Sequence, residues 1–374
     1  MPDYRVDIRD IRFCLNEYLD LNDLCSLPVF QERGFDPEML LDMVEQARKL
    51  SIEKVAPMNE TSDQEGAKYN KETSEVTTPD CFKEAYQLYV QNGWGALPAN
   101  PEYGGMGAPE IINTAAGEIF TGACTSFTML PGLSKSAAAV IDVFGSDAQK
   151  TTYLEKMLTG VWGGSMCLTE PQAGSDVGAA KTMATPIEGK DGFYKIVGTK
   201  SFITFGDHDM TENIIHLVLA RTPGAPSGTR GIGLFIVPKM KFDASGKVTG
   251  SNDVVCSGIE HKMGIHGSPT CTLNFGDNND CEGELIGDIY SGINYMFLMM
   301  TEERLMVGMQ GHALAQGANQ LALKFAQERV QGSDIRNMKD PDAPKVTIIN
   351  HPDAAAARPA LDALVDWTAR DTGL

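Results

Sequence analysis

The 374-residue chain has no run near the roughly 18 consecutive apolar residues that a membrane-spanning helix needs, so no span is expected. Its opening, MPDYRVDIRD, has no apolar core of the kind a secretory leader carries, and none is expected. The eight cysteines (14, 25, 81, 124, 167, 256, 271 and 281) form no CxxC pair. That spacing speaks against zinc and disulfides and for free buried thiols in a reducing cytoplasm. The six histidines show no HExxH or similar ligand spacing, so no metal site is expected. Basic residues are outnumbered, 31 against 50, for a net charge of −19. Such a field opposes nucleic acid and anionic membranes, though a pocket with local donors can still take an anion. There is no GxGxxG that opens a helix after a strand, no Walker A loop and no GxSxG elbow. A Rossmann cofactor domain, a P-loop and an α/β-hydrolase nucleophile are therefore not expected.

What is present falls into three stretches. Up to about residue 160 the pattern is helical. DPEMLLDMVEQARKLSIEKVAPMNE places Met39, Leu40, Met43, Ala47, Leu50 and Ile52 near one face, and CFKEAYQLYVQNG ends on a good helix stop. Two further helical stretches follow a Gly- and Pro-dense loop. From Trp162 the chain turns to short β-branched and aromatic runs, GFYKIVGTKSFITFG, IIHLVLAR, GIGLFIVPK and CTLNFGD, broken by Gly, Asp and Pro. The polar link VPKMKFDASGKVTGSNDVVCSG reads as a surface excursion. From Ser291 the helical stride returns through Ile293, Phe297, Met300, Val307, Leu314, Ala318, Leu321 and Phe325. Glu302, Glu303 and Arg304 interrupt it, and charges on or beside an apolar stripe are costly unless paired or used. The expectation is an α+β multidomain chain: a helical domain over 1–162, a β domain of barrel or sandwich type over 163–288, and a helical domain over 289–374.

One segment needs more than a turn to explain it. CLTEPQAGSDVGA follows an apolar run, with Gly163, Gly164, Gly174 and Gly178 around small polar residues. Such crowding implies a backbone that something approaches closely. The plainer alternative for the residues alone is a Gly-rich strand-to-loop connection.

With SFITFG some 25 residues on, MCLTEPQAGSDVG resembles the flavin-binding signature of the acyl-CoA dehydrogenases. GWGALPANPEYGG, HKMGIHGSPT and EERLMVGMQGHALAQGANQLALKFAQERVQG resemble further segments of that family, in order, over about residues 80–350. The N-terminal YRVDIRDIRFCLNEYL and the polar excursion resemble a larger bacterial subgroup that includes 3-methylmercaptopropionyl-CoA dehydrogenases. The resemblance implies helical, β and helical-bundle domains, FAD, and α,β-dehydrogenation of an acyl-CoA thioester, either a fatty acyl-CoA or 3-methylmercaptopropionyl-CoA. It implies electron transfer to an electron-transferring flavoprotein, a homodimer or dimer of dimers, and a place in fatty acid metabolism.

It also implies roles. Met166, Leu168, Thr169, Gly174 and Ser175 match the segment along the isoalloxazine ring and pyrophosphate, where a β-carbon at 174 would block a nest-type anion site. Phe202, Ile203 and Thr204 match a wall beside the flavin, with Phe where the family usually has Trp; the residues themselves also suit an ordinary amphipathic strand. Arg329 matches an arginine that reaches the FAD pyrophosphate of a neighbouring subunit; a lone Arg near a helix end is usually a solvated dipole partner, so this role rests on the resemblance. Ser175 and Arg304 match positions in the acyl-CoA site, with an internal pair between Arg304 and Glu302 or Glu303 as the alternative. Most members take the α proton with a Glu late in the C-terminal bundle. VTIINHPDAAAARPALDALVDWTARDTGL matches the family only to about Pro352, so a C-terminal truncation and an incomplete bundle are expected. Glu303 matches the place from which a minority of members supplies the base, and is otherwise an ordinary solvated helix residue. Two alternatives stay open: a catalytically impaired remnant that binds FAD and acyl-CoA without the base, and an acyl-CoA oxidase with oxygen as acceptor.

Overall fold

The computed structural model describes residues 4–354. Ten α-helices lie among them: α1 (Ile8–Phe13), α2 (Leu21–Cys25), α3 (Pro28–Glu32), α4 (Pro37–Leu50), α5 (Asn59–Glu65), α6 (Cys81–Gln91), α7 (Glu110–Ala123), α8 (Thr125–Phe144), α9 (Asp147–Leu158) and α10 (Gly292–Glu328). The chain divides into two compact units, one of residues up to 57, 111–125 and from 305, the other of 58–110 and 126–304.

In the first unit α4 starts where the sequence says it should. Asp36 caps it by accepting from the Met39 N–H, and Pro37 occupies the first turn. Its buried face is Leu40, Val44 and Ala47, whereas Met39, expected on that face, is 43% exposed. The Tyr4 hydroxyl donates to the Ile119 carbonyl at 2.8 Å, and Glu118 lies 3.7 Å from His312. After α10 the chain forms a short hairpin of β13 (Val330–Ser333) and β14 (Lys345–Thr347), which the helical pattern did not announce.

The second unit has another unannounced hairpin after α5, β1 (Lys68–Asn70) and β2 (Glu75–Thr77), and holds the large sheet. Its strands are β3 (Trp162–Cys167), β4 (Met183–Pro186), β5 (Phe193–Thr204), β6 (Asn213–Arg221), β7 (Ile232–Pro238), β10 (Val254–Ile259), β11 (Thr270–Phe275) and β12 (Glu282–Leu285). Pairing runs β5–β12–β7–β6, and β4 pairs with both β5 and β6, so these five strands close a barrel. β11 and β10 extend it from β5, and β3 lies parallel to β6. β6 is buried at its first eight positions, as a strand covered on both faces should be, which is why it reads as the unbroken run NIIHLVLA. The polar excursion is a hairpin of β8 (Met240–Phe242) and β9 (Val248–Ser251).

Two features depart from the sequence reading. α8 continues through Pro131, where two separate helical stretches were expected. It is also long and apolar enough to cross a membrane by length and composition, although Lys135 and scattered hydroxyls break the apolar run. More than half of that window is buried inside the protein, and Ala137, Ala138, Val140 and Ile141 belong to the core that also holds Trp162, Leu217 and Met299. α8 is thus a core helix of this unit. In α10 the stride selected the wrong face: Phe297, Val307, Leu314, Leu321 and Phe325 are exposed, and Met296, Met299, Met309 and Ala313 are buried. All eight cysteines are free, six of them buried, with Cys14 exposed and Cys81 half-buried.

Candidate functional site

The two stretches that carry the flavin resemblance meet at one place in the second unit. β3 ends at Cys167, and Leu168, Thr169 and Glu170 continue beside β5. The Ser201 N–H donates to the Thr169 carbonyl at 2.8 Å, and the Lys200 ammonium donates to the Leu168 carbonyl at 3.0 Å. Lys200 also lies 2.9 Å from the Glu170 carboxylate, and both side chains are almost completely buried. Backbone N–H groups of Lys181 and Thr182 complete the Glu170 shell at 2.6 and 3.0 Å. Burial works against ionisation of Glu170, but the Lys200 charge and these donors hold its pKa down to about 2. Burial pulls the Lys200 pKa down, and Glu170 opposes that.

This clamp fixes the strand whose next residues form a wall. Between Lys200 and Ile203, β5 spends two residues, Ser201 and Phe202, against the single Thr272 of β11. The bulge bends the strand and re-aims a side chain. Phe202 takes a left-handed backbone, φ +61°, and stands 62% exposed, while Ile203 beside it is 2% exposed. A left-handed non-glycine costs about 1–2 kcal/mol and signals a conformation imposed by its surroundings. Thr169 and Thr204 are half-buried, and their hydroxyls take no protein partner among the described residues. Met166 is half-buried on β3 and Leu168 is 9% exposed. Gly174 and Ser175 are exposed, and a β-carbon built on Gly174 meets nothing within 4 Å. An exposed Phe202, with Thr204 two residues on along β5 and Thr169 on the segment bonded to Ser201, suits a flat conjugated ligand with a polar edge.

The other glycines of the motif answer to the protein itself. A β-carbon on Gly164 would lie 2.9 Å from the Ala137 β-carbon of α8, and one on Gly163 would lie 3.1 Å from His208 Nε2. Behind them the Ser165 hydroxyl meets His216 Nδ1 at 2.7 Å. Burial, then the Lys239 charge, lowers the pKa of both His208 and His216 to about 3.

Glu303 lies on α10, half-buried, and accepts a hydrogen bond from the Ser136 hydroxyl of α8 at 2.9 Å. Burial raises its pKa, Ser136 opposes this, and the neighbouring Glu302 raises it further. Arg304 is exposed, so it needs no partner to offset burial. Arg329 follows α10 in the first unit, exposed, its N–H donating to the Phe325 carbonyl. Sequence reasoning missed Glu170, Lys200 and Ser136. A signal existed for the first two: Glu170 follows the run SMCLT and Lys200 interrupts IVGTKSFI, each a charge beside apolar and small residues.

The fold has known counterparts. Butyryl-CoA dehydrogenase from Megasphaera elsdenii superimposes with a TM-score of 0.71 at 23% identity, over 90% of this chain and 78% of that one. Residues 37–161 match the description "Acyl-CoA dehydrogenase, N-terminal domain", and residues 165–278 match "Acyl-CoA dehydrogenase, middle domain". The chain belongs to the acyl-CoA dehydrogenase family. It is 41% identical over 350 residues to 3-methylmercaptopropionyl-CoA dehydrogenase of Ruegeria pomeroyi, covering 94% of this chain and 58% of that protein. It is 40% identical over 362 residues to a butyryl-CoA dehydrogenase of Syntrophomonas wolfei, covering 94% of this chain and 57% of that protein. The chain therefore spans less than two thirds of the length of these relatives.

Proposed function

We propose that this chain binds FAD and an acyl-CoA and carries out α,β-dehydrogenation of the thioester, with electrons passed to an electron-transferring flavoprotein. The observation that carries the proposal is the bulge that turns Phe202 outward beside the unpartnered hydroxyls of Thr169 and Thr204. The donor set fits the cofactor: Phe202 and Ile203 as an apolar wall, the hydroxyls for the polar edge, and open space at Gly174 for phosphates. Met166 and Leu168 would floor the site, and Arg329 of a second copy would add a cation at the pyrophosphate. When bound, FAD supplies the acceptor for the β hydrogen, which leaves with its electron pair. Glu303 would take the α proton; its shielding and raised pKa suit a base that works after substrate has displaced water. Ser136 would orient the Glu303 carboxylate, and Ser175 and Arg304 would hold the CoA end. The family points to short or methylthio-substituted acyl chains through the relatives named above. Eight thiols without a disulfide are in keeping with a reducing cytoplasm.

The test is anaerobic titration of the FAD-reconstituted chain with butyryl-CoA, longer acyl-CoAs and 3-methylmercaptopropionyl-CoA. Loss of the oxidised flavin band is expected, and Glu303→Gln should abolish it. FAD binding without bleaching by any thioester defeats the catalytic part of the reading. Failure to bind FAD defeats all of it. Peroxide released in stoichiometric amount under air would replace the flavoprotein acceptor with oxygen.

A further inference from the structure

A base that takes a proton under a bound thioester must return it to solvent before the next turnover, and the substrate itself blocks the direct way out. The chain neighbours of Glu303 and of its partner Ser136, namely Glu302 and Lys135, line a cavity. Ser136, whose hydroxyl donates to Glu303 at 2.9 Å, sits on α8 next to Lys135. Lys135 turns to a cavity of about 200 Å³, which Asn100, Glu110, Asp142 and Glu302 also line. That volume holds several water molecules. Lys135 is anchored there to Glu110 at 2.9 Å. Glu302, adjacent to Glu303 on α10, reaches the same cavity, and its Oε2 is buried without a protein hydrogen-bond partner. Burial raises the Glu302 pKa, while the Lys135 charge and the Ser136 hydroxyl oppose this, so the hydroxyl that is hydrogen-bonded to Glu303 also acts on Glu302.

We propose that Ser136 and Glu302 form the route by which the proton taken by Glu303 leaves for the water of this cavity, with Lys135 and Glu110 holding its mouth. This rests on Glu303 being the base. The α C–H bond breaks and an O–H bond forms on Glu303. Protonated Glu303 donates to the Ser136 oxygen as the Ser136 proton passes to Glu302. Glu302 then gives a proton to cavity water, and both carboxylates and the hydroxyl return to their starting states. Side chains in such roles contribute about 100-fold or more to proton-transfer steps.

The test uses the FAD-loaded full chain and a redox-inert 3-thia acyl-CoA in D2O, with NMR reading deuterium at the α carbon. Flavin bleaching by a normal acyl-CoA is measured in parallel, and FAD binding reports folding. For Glu302→Gln the ratio of exchange rate to single-turnover bleaching rate should fall at least about tenfold, because Gln carries no titratable proton. Ser136→Ala should lower the same ratio, and Ser136→Thr, which restores a hydroxyl, should recover it. If Glu302→Gln and Ser136→Ala both keep the parent ratio while Glu303→Gln loses bleaching, the route is wrong and the base stands. If Glu303→Gln bleaches like the parent, or the parent neither bleaches nor exchanges, the base reading fails and the route falls with it. Should Glu302→Gln not fold, the Ser136 pair alone decides, since Ala without loss of ratio overturns the route.

Discussion

Replacing Lys200 with Met removes the ammonium, keeps most of the stem, and tests whether the Glu170 clamp holds the wall-bearing strand. Lys200 is fully buried and lies 2.9 Å from a carboxylate that is 3% exposed. The folded protein holds Glu170 near pKa 2 against an ordinary 4.5, a preference for the charged form of roughly 3 kcal/mol at about 1.4 kcal/mol per unit. Part of that comes from the Lys181 and Thr182 N–H groups, which Lys200→Met leaves in place. Against this, removal of one partner strands a buried charge, which costs about 3–5 kcal/mol in comparable pairs. The expected loss is about 3 kcal/mol at pH 7, read by urea unfolding followed by circular dichroism. The stranded carboxylate escapes its penalty by taking a proton, so the deficit should be smaller at pH 5 than at pH 7. The double variant Lys200→Met, Glu170→Gln has no charge to strand and should be more stable than the single one. A Lys200→Met chain within about 1 kcal/mol of its parent at pH 7, or a double variant no better than the single, would refute the reasoning.

Acid should destabilise the second unit early. His208 and His216 titrate near 3 when folded and near 6.5 when unfolded, so their contribution is complete above pH 6.5. Each then loses about 1.4 kcal/mol per unit as pH falls from 6.5 toward 3, and Glu170 adds a loss of the same sign from 4.5 toward 2. The urea midpoint should be flat from pH 8 to 7 and fall by pH 5; a rise on acidification contradicts the assignment. Phe202→Gly should relieve up to about 1–2 kcal/mol of left-handed strain, less the chain entropy that glycine adds, and lose little burial. The unloaded chain should keep its melting temperature while FAD affinity drops, and equal losses in both would show that the residue is structural. Gly174→Ala meets open space and should leave stability unchanged while weakening FAD binding, as titrated by flavin fluorescence. Gly105→Ala would set a β-carbon 2.1 Å from the Ala99 carbonyl oxygen and should cost about 1–3 kcal/mol, so a neutral result there would contradict the loop geometry.

Element types were legible where one physical signal dominated. The period-2 and fully apolar runs of 193–237 are strands because barrel closure buries them, and Asp36–Pro37 starts a helix because cap and φ agree. The two short hairpins at 68–77 and 330–347 were not, since three- and four-residue strands carry too little pattern to stand out from loops. The face of α10 was misread because apolar and small residues recur on more than one side of the helix, so a stride of three to four fits more than one stripe. At the site, Phe202 and Thr204 were visible as chemistry, but the bulge that exposes one and the clamp that fixes it depend on pairing between β5 and β11 and on a contact thirty residues apart. No local pattern encodes either. Ser136 was invisible for the same reason: its meaning lies 167 residues away, at Glu303.

Gly164 sets a distance. Its N–H donates to the Ser134 hydroxyl oxygen at 2.9 Å, and its missing side chain lets α8 rest on the backbone of β3. One end of that contact leads along β3 to Thr169, and the other leads along α8, within a single turn, to Ser136. The hydroxyl that donates to Glu303 and the backbone at Thr169 are thereby mounted on one stiff frame, with glycine as its shortest spacer. A methyl group at 164 would act as a shim: it would push the helix off the strand and move Ser136 and Glu303 against Thr169, with no change to any of those three residues.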